Sequence, residues 1–199
     1  EAYRFSKLGE LAGGWQQIDD NWHYFKSYTK VAATGEYVQN GVTYQFDEKG
    51  MTKGAWYTTD AGTRYYYGPS YYVAREPGYQ TLVEIDGKTY NFDNDGYITT
   101  GIQVLRDSTS FKKNVYEFGE DGAMIRKITE HGMVVASDGG TYYINESGYV
   151  PMDAGIIMYN DAYYYIVHSG KIKTNNQQTV TEAKANGLIE AGIYYFGED

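Results

Sequence analysis

The chain has no cysteine. Disulfide staples and thiolate chemistry are therefore excluded, and a fold of this size must hold by packing alone. Proline is scarce, with 3 residues, which separates the chain from Pro/Gly-rich disordered sequences. Basic residues are in deficit, 17 against 26 acidic, for a net charge of −9. That balance argues against non-specific nucleic-acid binding, which needs an electropositive footprint, and against docking on an anionic membrane. No apolar run approaches the length of a membrane span, and no secretory leader is present in the 199 residues.

What is abundant is tyrosine and glycine, with 24 of each. They recur in one pattern: a Tyr, an apolar residue two positions later and a Gly six positions later. Tyr3/Phe5/Gly9, Tyr44/Phe46/Gly50, Tyr90/Phe92/Gly96, Tyr116/Phe118/Gly122, Tyr142/Ile144/Gly148 and Tyr164/Ile166/Gly170 all fit. The last four glycines are spaced by 26, 26 and 22 residues. Self-similarity of this kind marks a repeat architecture.

The segment 78–96 shows the unit most fully. Asp86-Gly87 is a two-residue hairpin signal, because both centres of a type I′ turn need positive φ. It sets Ile85 opposite Lys88 and Val83 opposite Tyr90. Val83, Ile85, Tyr90 and Phe92 are expected on one face, with Glu84, Thr89 and Asn91 on the other. Asp93-Asn94-Asp95-Gly96 then turns the chain away. A single hairpin is marginal in water, so the copies must cover one another. The fold expected is all-β, a solenoid of stacked β-hairpin repeats forming one elongated array over 1–199. The approximate copies are 1–13 (partial), 14–36, 37–53, 54–77, 78–100, 101–127, 128–154, 155–179 and 180–199 (partial). Residues 54–77 are irregular and predict a hairpin with a long tip or a seam between sub-arrays. Residues 181–187 predict a short capped helical turn. Leu188–Phe196 predict a last hairpin on Ala191-Gly192. A half-copy opening on Glu1 and another ending at Asp199 suggest a larger parent protein that continues upstream.

The hairpin at 14–25 carries Trp15 and Trp22. Through these residues and the repeated triad, the chain resembles the cell-wall-binding repeat superfamily of Gram-positive surface proteins. That group includes choline-binding repeats, glucan-binding repeats of glucosyltransferases and repeats of large clostridial toxins. The resemblance covers nearly the whole chain. Choline-binding repeats carry a Gly-Trp opening and a second Trp seven positions on, and with an aromatic of the next hairpin these box a quaternary ammonium. Gly14-Trp15 and Trp22 keep that spacing, and Tyr44 could supply the third wall. Later copies hold Thr43, Thr89, Val115, Thr141 and Tyr163 in the slot of Trp22, and Trp56 lies one residue off register. The Gly87–Phe92 stretch looks closer to the glucan-binding and toxin repeats. The resemblance implies a secreted or cell-surface module that binds a cell-wall polymer or surface glycan without catalysis. Trp15, Trp22, Tyr44 and Trp56 are its candidate ligand-binding residues. A structural stalk, a protein-binding adhesin segment and a choline-binding module are the alternatives.

A two-residue turn at Asp19-Asp20 sets Trp15 across from Tyr24 and Trp22 across from Gln17. This register is read as placing the two indoles on opposite faces unless a bulge intervenes. Tyr90, Tyr116 and Tyr142 are expected in the core, and Tyr24, Tyr65, Tyr143 and Tyr165 on the solvent side. His23, His131 and His168 occupy different repeat positions and suggest no triad; His23 reads as an exposed strand residue. The oxygen-rich turn at Asp93 invites a calcium reading, but the equivalent turn contains Lys49, so no metal and no cofactor are expected.

Overall fold

The computed structural model describes residues 2–5, 9–74, 76–151, 153–167 and 170–197. Glu1, His168 and Asp199 lie outside them. The chain divides into two compact units, one of Glu1–Pro77 with Phe92–Ile98 and one of Gly78–Asn91 with Thr99–Asp199. Both are built from antiparallel hairpins.

The first unit contains the pairs β1 (Gly14–Ile18)/β2 (Asn21–Phe25), β3 (Gly35–Gln39)/β4 (Val42–Phe46) and β5 (Ala55–Thr59)/β6 (Gly62–Tyr66). The second contains β7 (Leu82–Ile85)/β8 (Lys88–Asn91), then β9 (Gly101–Arg106)/β10 (Lys113–Phe118)/β11 (Met124–Ile128). It continues with β12 (Gly132–Val135)/β13 (Thr141–Ile144), β14 (Gly155–Tyr159)/β15 (Ala162–Ile166) and β16 (Asn176–Val180)/β17 (Gly192–Phe196). Within each unit successive hairpins stack as repeats, the solenoid type of arrangement. Among the described residues no helix is long and apolar enough to cross a membrane.

The hairpin tips follow from backbone chemistry. Asp86 and Gly87 have φ of 49° and 76°, and the pairing Ile85↔Lys88, Val83↔Tyr90 is the one expected. Asp19-Asp20 and Asn160-Asp161 also take positive φ at both centres.

The Tyr/apolar/Gly triad encodes a second, less obvious device. Asp47, Asp93 and Asn145 each follow the apolar residue, and each side-chain Oδ1 accepts two backbone N–H groups from the next four residues. The Gly three positions after this acceptor closes the turn with its own N–H. All six triad glycines have φ between 69° and 85°, a region that costs an L-residue its Cβ clearance. The chain then returns and bridges back onto the apolar residue: Phe5↔Leu11, Phe46↔Thr52, Phe92↔Ile98 and Ile166↔Ile172. After Phe118 the return lengthens into β11, with a bulge at Glu117/Phe118. The repeat is thus a hairpin plus a tight turn plus a returning segment.

That third segment corrects several expectations. It leaves few solvent faces, so Tyr24, Tyr65 and Tyr165 are buried, as are Tyr90, Tyr116 and Tyr142. His23 is buried too, stacked on Phe25 with ring centroids 6.3 Å apart. Asn91, expected to face outward, is 1 % exposed. Its amide accepts from the Thr81 N–H at 2.7 Å and donates to Thr99 Oγ1 at 3.2 Å. The tip of the hairpin at 55–66 is two residues long, not extended. The last hairpin pairs 176–180 with 192–196 rather than turning at Ala191-Gly192, because the expected helical turn, α1 (Glu182–Ala185), fills the tip. Thr181 stands at its N-cap and Asn186, in the left-handed region, ends it.

Candidate functional site

Trp15 is the centre of an aromatic cluster in the first unit. Its register partner Tyr24 lies with ring centroid at 5.3 Å, Tyr44 of the next hairpin at 4.9 Å, Phe46 at 5.9 Å and Trp22 at 6.4 Å. The two indoles meet at 89°. The expectation that they occupy opposite faces is wrong, and no bulge is needed. Cross-strand partners project to the same side, so Trp15, Gln17, Trp22 and Tyr24 share one face, and Trp15 and Trp22 are a diagonal pair across it.

The members differ in depth. Tyr24, Tyr44 and Phe46 are buried, whereas Trp15 and Trp22 are half-buried. The Tyr44 hydroxyl donates to the Gly68 carbonyl at 2.7 Å, and burial, followed by the proximity of Tyr66, pushes it up to about 12. It therefore contributes a ring and no free hydroxyl. Gly68 in turn rests on Trp22: a Cβ at that position would stand 2.6 Å from the indole Cγ. Trp22 thus packs against backbone at Gly68, and the two indoles meet as a perpendicular corner. Flat C–H faces of a sugar or an alkylated ammonium are the groups such a corner can hold. Tyr24, Phe46 and Gly68 were not singled out by sequence; Phe46 was visible as a triad residue, while Gly68 carried no signal.

Trp56 belongs to a different cluster. It is 38 % exposed and packs on Tyr65 at 4.8 Å and on Phe92 at 6.4 Å. Tyr72 covers Phe92 at 5.4 Å.

A cleft of about 320 Å³ opens elsewhere, in the second unit, beside Glu117, Glu120, Asp138 and Tyr142. Glu117 and Asp138 are engaged. Glu117 accepts from Arg126 Nε at 2.7 Å and from the Ser137 N–H at 2.5 Å. Asp138 accepts from Lys171 Nζ at 2.9 Å and from the Tyr142 hydroxyl at 3.3 Å. The cleft offers volume, whereas the Trp15 corner offers aromatic faces.

No family model matches the chain. It is 28 % identical over 162 residues to glucosyltransferase-S of Streptococcus mutans, an alignment that covers 80 % of this chain and 10 % of that protein. It is 38 % identical over 98 residues to toxin A of Clostridium novyi, covering 47 % of this chain and 4 % of the toxin. The chain thus spans a tenth or less of the relatives it matches. Among solved structures, choline binding protein F from Streptococcus pneumoniae aligns over 90 % of this chain and 57 % of its own, with 23 % identity and a TM-score of 0.38. In the triad repeated in register, in the hairpins it builds and in the two aligned relatives, the chain is similar to the choline- and glucan-binding repeat superfamily.

Proposed function

We propose that this chain is a non-catalytic module of a larger secreted or surface protein, and that it binds a cell-wall polymer or surface glycan. The observation that carries this reading is the corner of Trp15 and Trp22, perpendicular at 6.4 Å and backed by Tyr44. Sugar rings stack on indoles through their C–H faces, and the polar side chain of Gln17 shares that face. The net charge of −9 suits a neutral or cationic ligand and not a nucleic acid. The non-catalytic reading is supported by where the carboxylates go: Asp47 and Asp93 accept turn N–H groups, and Glu117 is tied to Arg126. One shallow site binds weakly, so retention on a wall comes from several sites acting together. A second reading is an organic-cation ligand such as choline, favoured by the Trp–Trp–Tyr constellation itself.

The test replaces Trp15 and Trp22 by Ala one at a time and measures retention on choline resin and on immobilised α-glucan. Loss of about tenfold in affinity per ring is expected for the true ligand, the equivalent of about 1–2 kcal/mol. If both folded variants bind every ligand as the parent does, the corner is packing and the reading fails.

A further inference from the structure

A second aromatic box exists in the first unit, and the chain fills it itself. Arg64, on β6, places its guanidinium carbon 4.6 Å from the centroid of the Tyr71 ring and 4.2 Å from that of Tyr97. Its Nε and Nη2 both donate to the Asp95 carbonyl, at 3.1 and 2.8 Å. Two rings and a carbonyl oxygen around one planar cation are the parts of a cation cage.

The cage walls are seated on glycines. A Cβ at Gly96 would overlap the Tyr71 ring, and a Cβ at Gly62 would come within 2.8 Å of the Tyr97 ring. Each tyrosine is therefore pressed against bare backbone, Tyr71 on the triad turn and Tyr97 on the start of β6. Tyr71 is further held by its bridge to Tyr66, and the neighbouring Ile98 N–H donates to the Thr63 carbonyl at 2.8 Å. The rings thus owe much of their position to backbone, not to the cation between them. Such a cage should persist when the cation is removed.

We propose that Tyr71, Tyr97 and the Asp95 carbonyl form a binding box for a planar organic cation, and that Arg64 is its resident ligand. While Arg64 is in place, the box is closed to free guanidinium and alkylammonium compounds. Arg64 is then the residue that decides whether this repeat binds a soluble cation. The bidentate contact to one carbonyl matches a guanidinium, which presents two N–H groups side by side, better than it matches a tetrahedral ammonium.

Two experiments test this on the full chain. In the unmodified protein, the Arg64 δ-methylene and Nε–H resonances should be shifted upfield by the two ring currents; resonances at ordinary arginine positions would overturn the proposal. In Arg64→Met, which keeps an apolar stem, methylguanidinium should bind saturably with a Kd on the order of 1–10 mM, read as a rise in melting temperature at constant ionic strength. The unmodified protein should bind at least about tenfold more weakly, since its own side chain competes. Tetramethylammonium should be the poorer ligand, and adding Tyr97→Leu should abolish the rescue. Trp15→Ala should leave it intact, which separates this box from the Trp15 corner. Equal stabilisation of parent and Arg64→Met, or none in either, would sink the idea. If Arg64→Met does not fold, Arg64→Lys serves instead: it should keep the fold, and displacement of its ammonium by methylguanidinium is the expected result, with no displacement counting against the box.

Discussion

The Tyr44 hydroxyl donates to the carbonyl of Gly68, twenty-four residues further along the chain, at 2.7 Å. This bond fastens the loop after β6 over the second hairpin, and the same glycine supports the Trp22 indole. A ring in the candidate site and the backbone behind it are therefore one construction. Tyr44→Phe keeps the ring and removes the bond, leaving a buried carbonyl without this donor. A loss of about 1–2 kcal/mol in urea unfolding is expected, with a smaller effect on ligand retention than Trp22→Ala has.

Alkaline pH should unfold the protein through its buried tyrosines. Tyr44 is raised from 10.0 to about 12, and burial raises Tyr72, Tyr116 and Tyr142 as well. The folded state prefers the neutral phenol. The stability it confers is complete below pH 10 and drains as pH climbs through the folded values. Absorbance titration should show a separate tyrosine class that ionises only with loss of the β-sheet circular dichroism signal. A single class would contradict the burial described.

Acid should act through Glu117, which is 2 % exposed. Burial pushes its carboxyl up, but hydrogen bonds from Arg126 and from the Ser137 backbone outweigh that and hold it below its ordinary 4.5. The stability from this group is present above that ordinary value and is lost as pH falls through the depressed one. Glu117→Gln should cost about 2–3 kcal/mol at neutral pH, because Arg126 loses its buried partner. The variant should also lose part of the acid limb of the stability profile. The exposed pair Lys88–Asp121 offers a control, since Lys88→Ala should leave the urea midpoint unchanged.

Two glycines separate backbone strain from crowding. Gly87, in a hairpin tip, has φ of 76° and open space where a Cβ would go. Gly96, in a triad turn, has φ of 85° and a Cβ direction blocked by Tyr71. Gly87→Ala should cost about 1 kcal/mol and Gly96→Ala about 3 kcal/mol in thermal or urea unfolding. Equal costs would mean that the Tyr71 ring yields freely.

The parts of the fold legible in sequence are those governed by local backbone chemistry. Asp86-Gly87 and Asp19-Asp20 set their strand registers, and Asp93-Asn94-Asp95-Gly96 marked a turn. The returning segment was not legible, because its short bridge back onto Phe46 or Phe92 is made by backbone groups that carry no side-chain pattern of their own. For that reason the depth of Tyr24, Tyr65, His23 and Asn91 was misjudged. In the candidate site, Trp15, Trp22 and Tyr44 do come together, while Trp56 joins Tyr65 and Phe92. The faces of Trp15 and Trp22 were deducible from the register alone, since paired residues point the same way; Gly68 was not, because its role depends on a loop that folds back.

The two ends of each hairpin differ in how much freedom they leave to evolution. At the triad end the spacing from the apolar residue to the glycine is four residues in all six triads. At the tip the connection is two residues at Asp86-Gly87, six at 107–112, five at 136–140 and eleven at 181–191, where it has acquired a helix. Among the hairpins that carry a triad, length variation thus falls at the tip. Grafting a peptide epitope or a protease site into 107–112 should leave the array folded, and the same graft between Phe46 and Gly50 should destroy it. A lineage of such chains can diversify at its tips while the triad turn keeps its length.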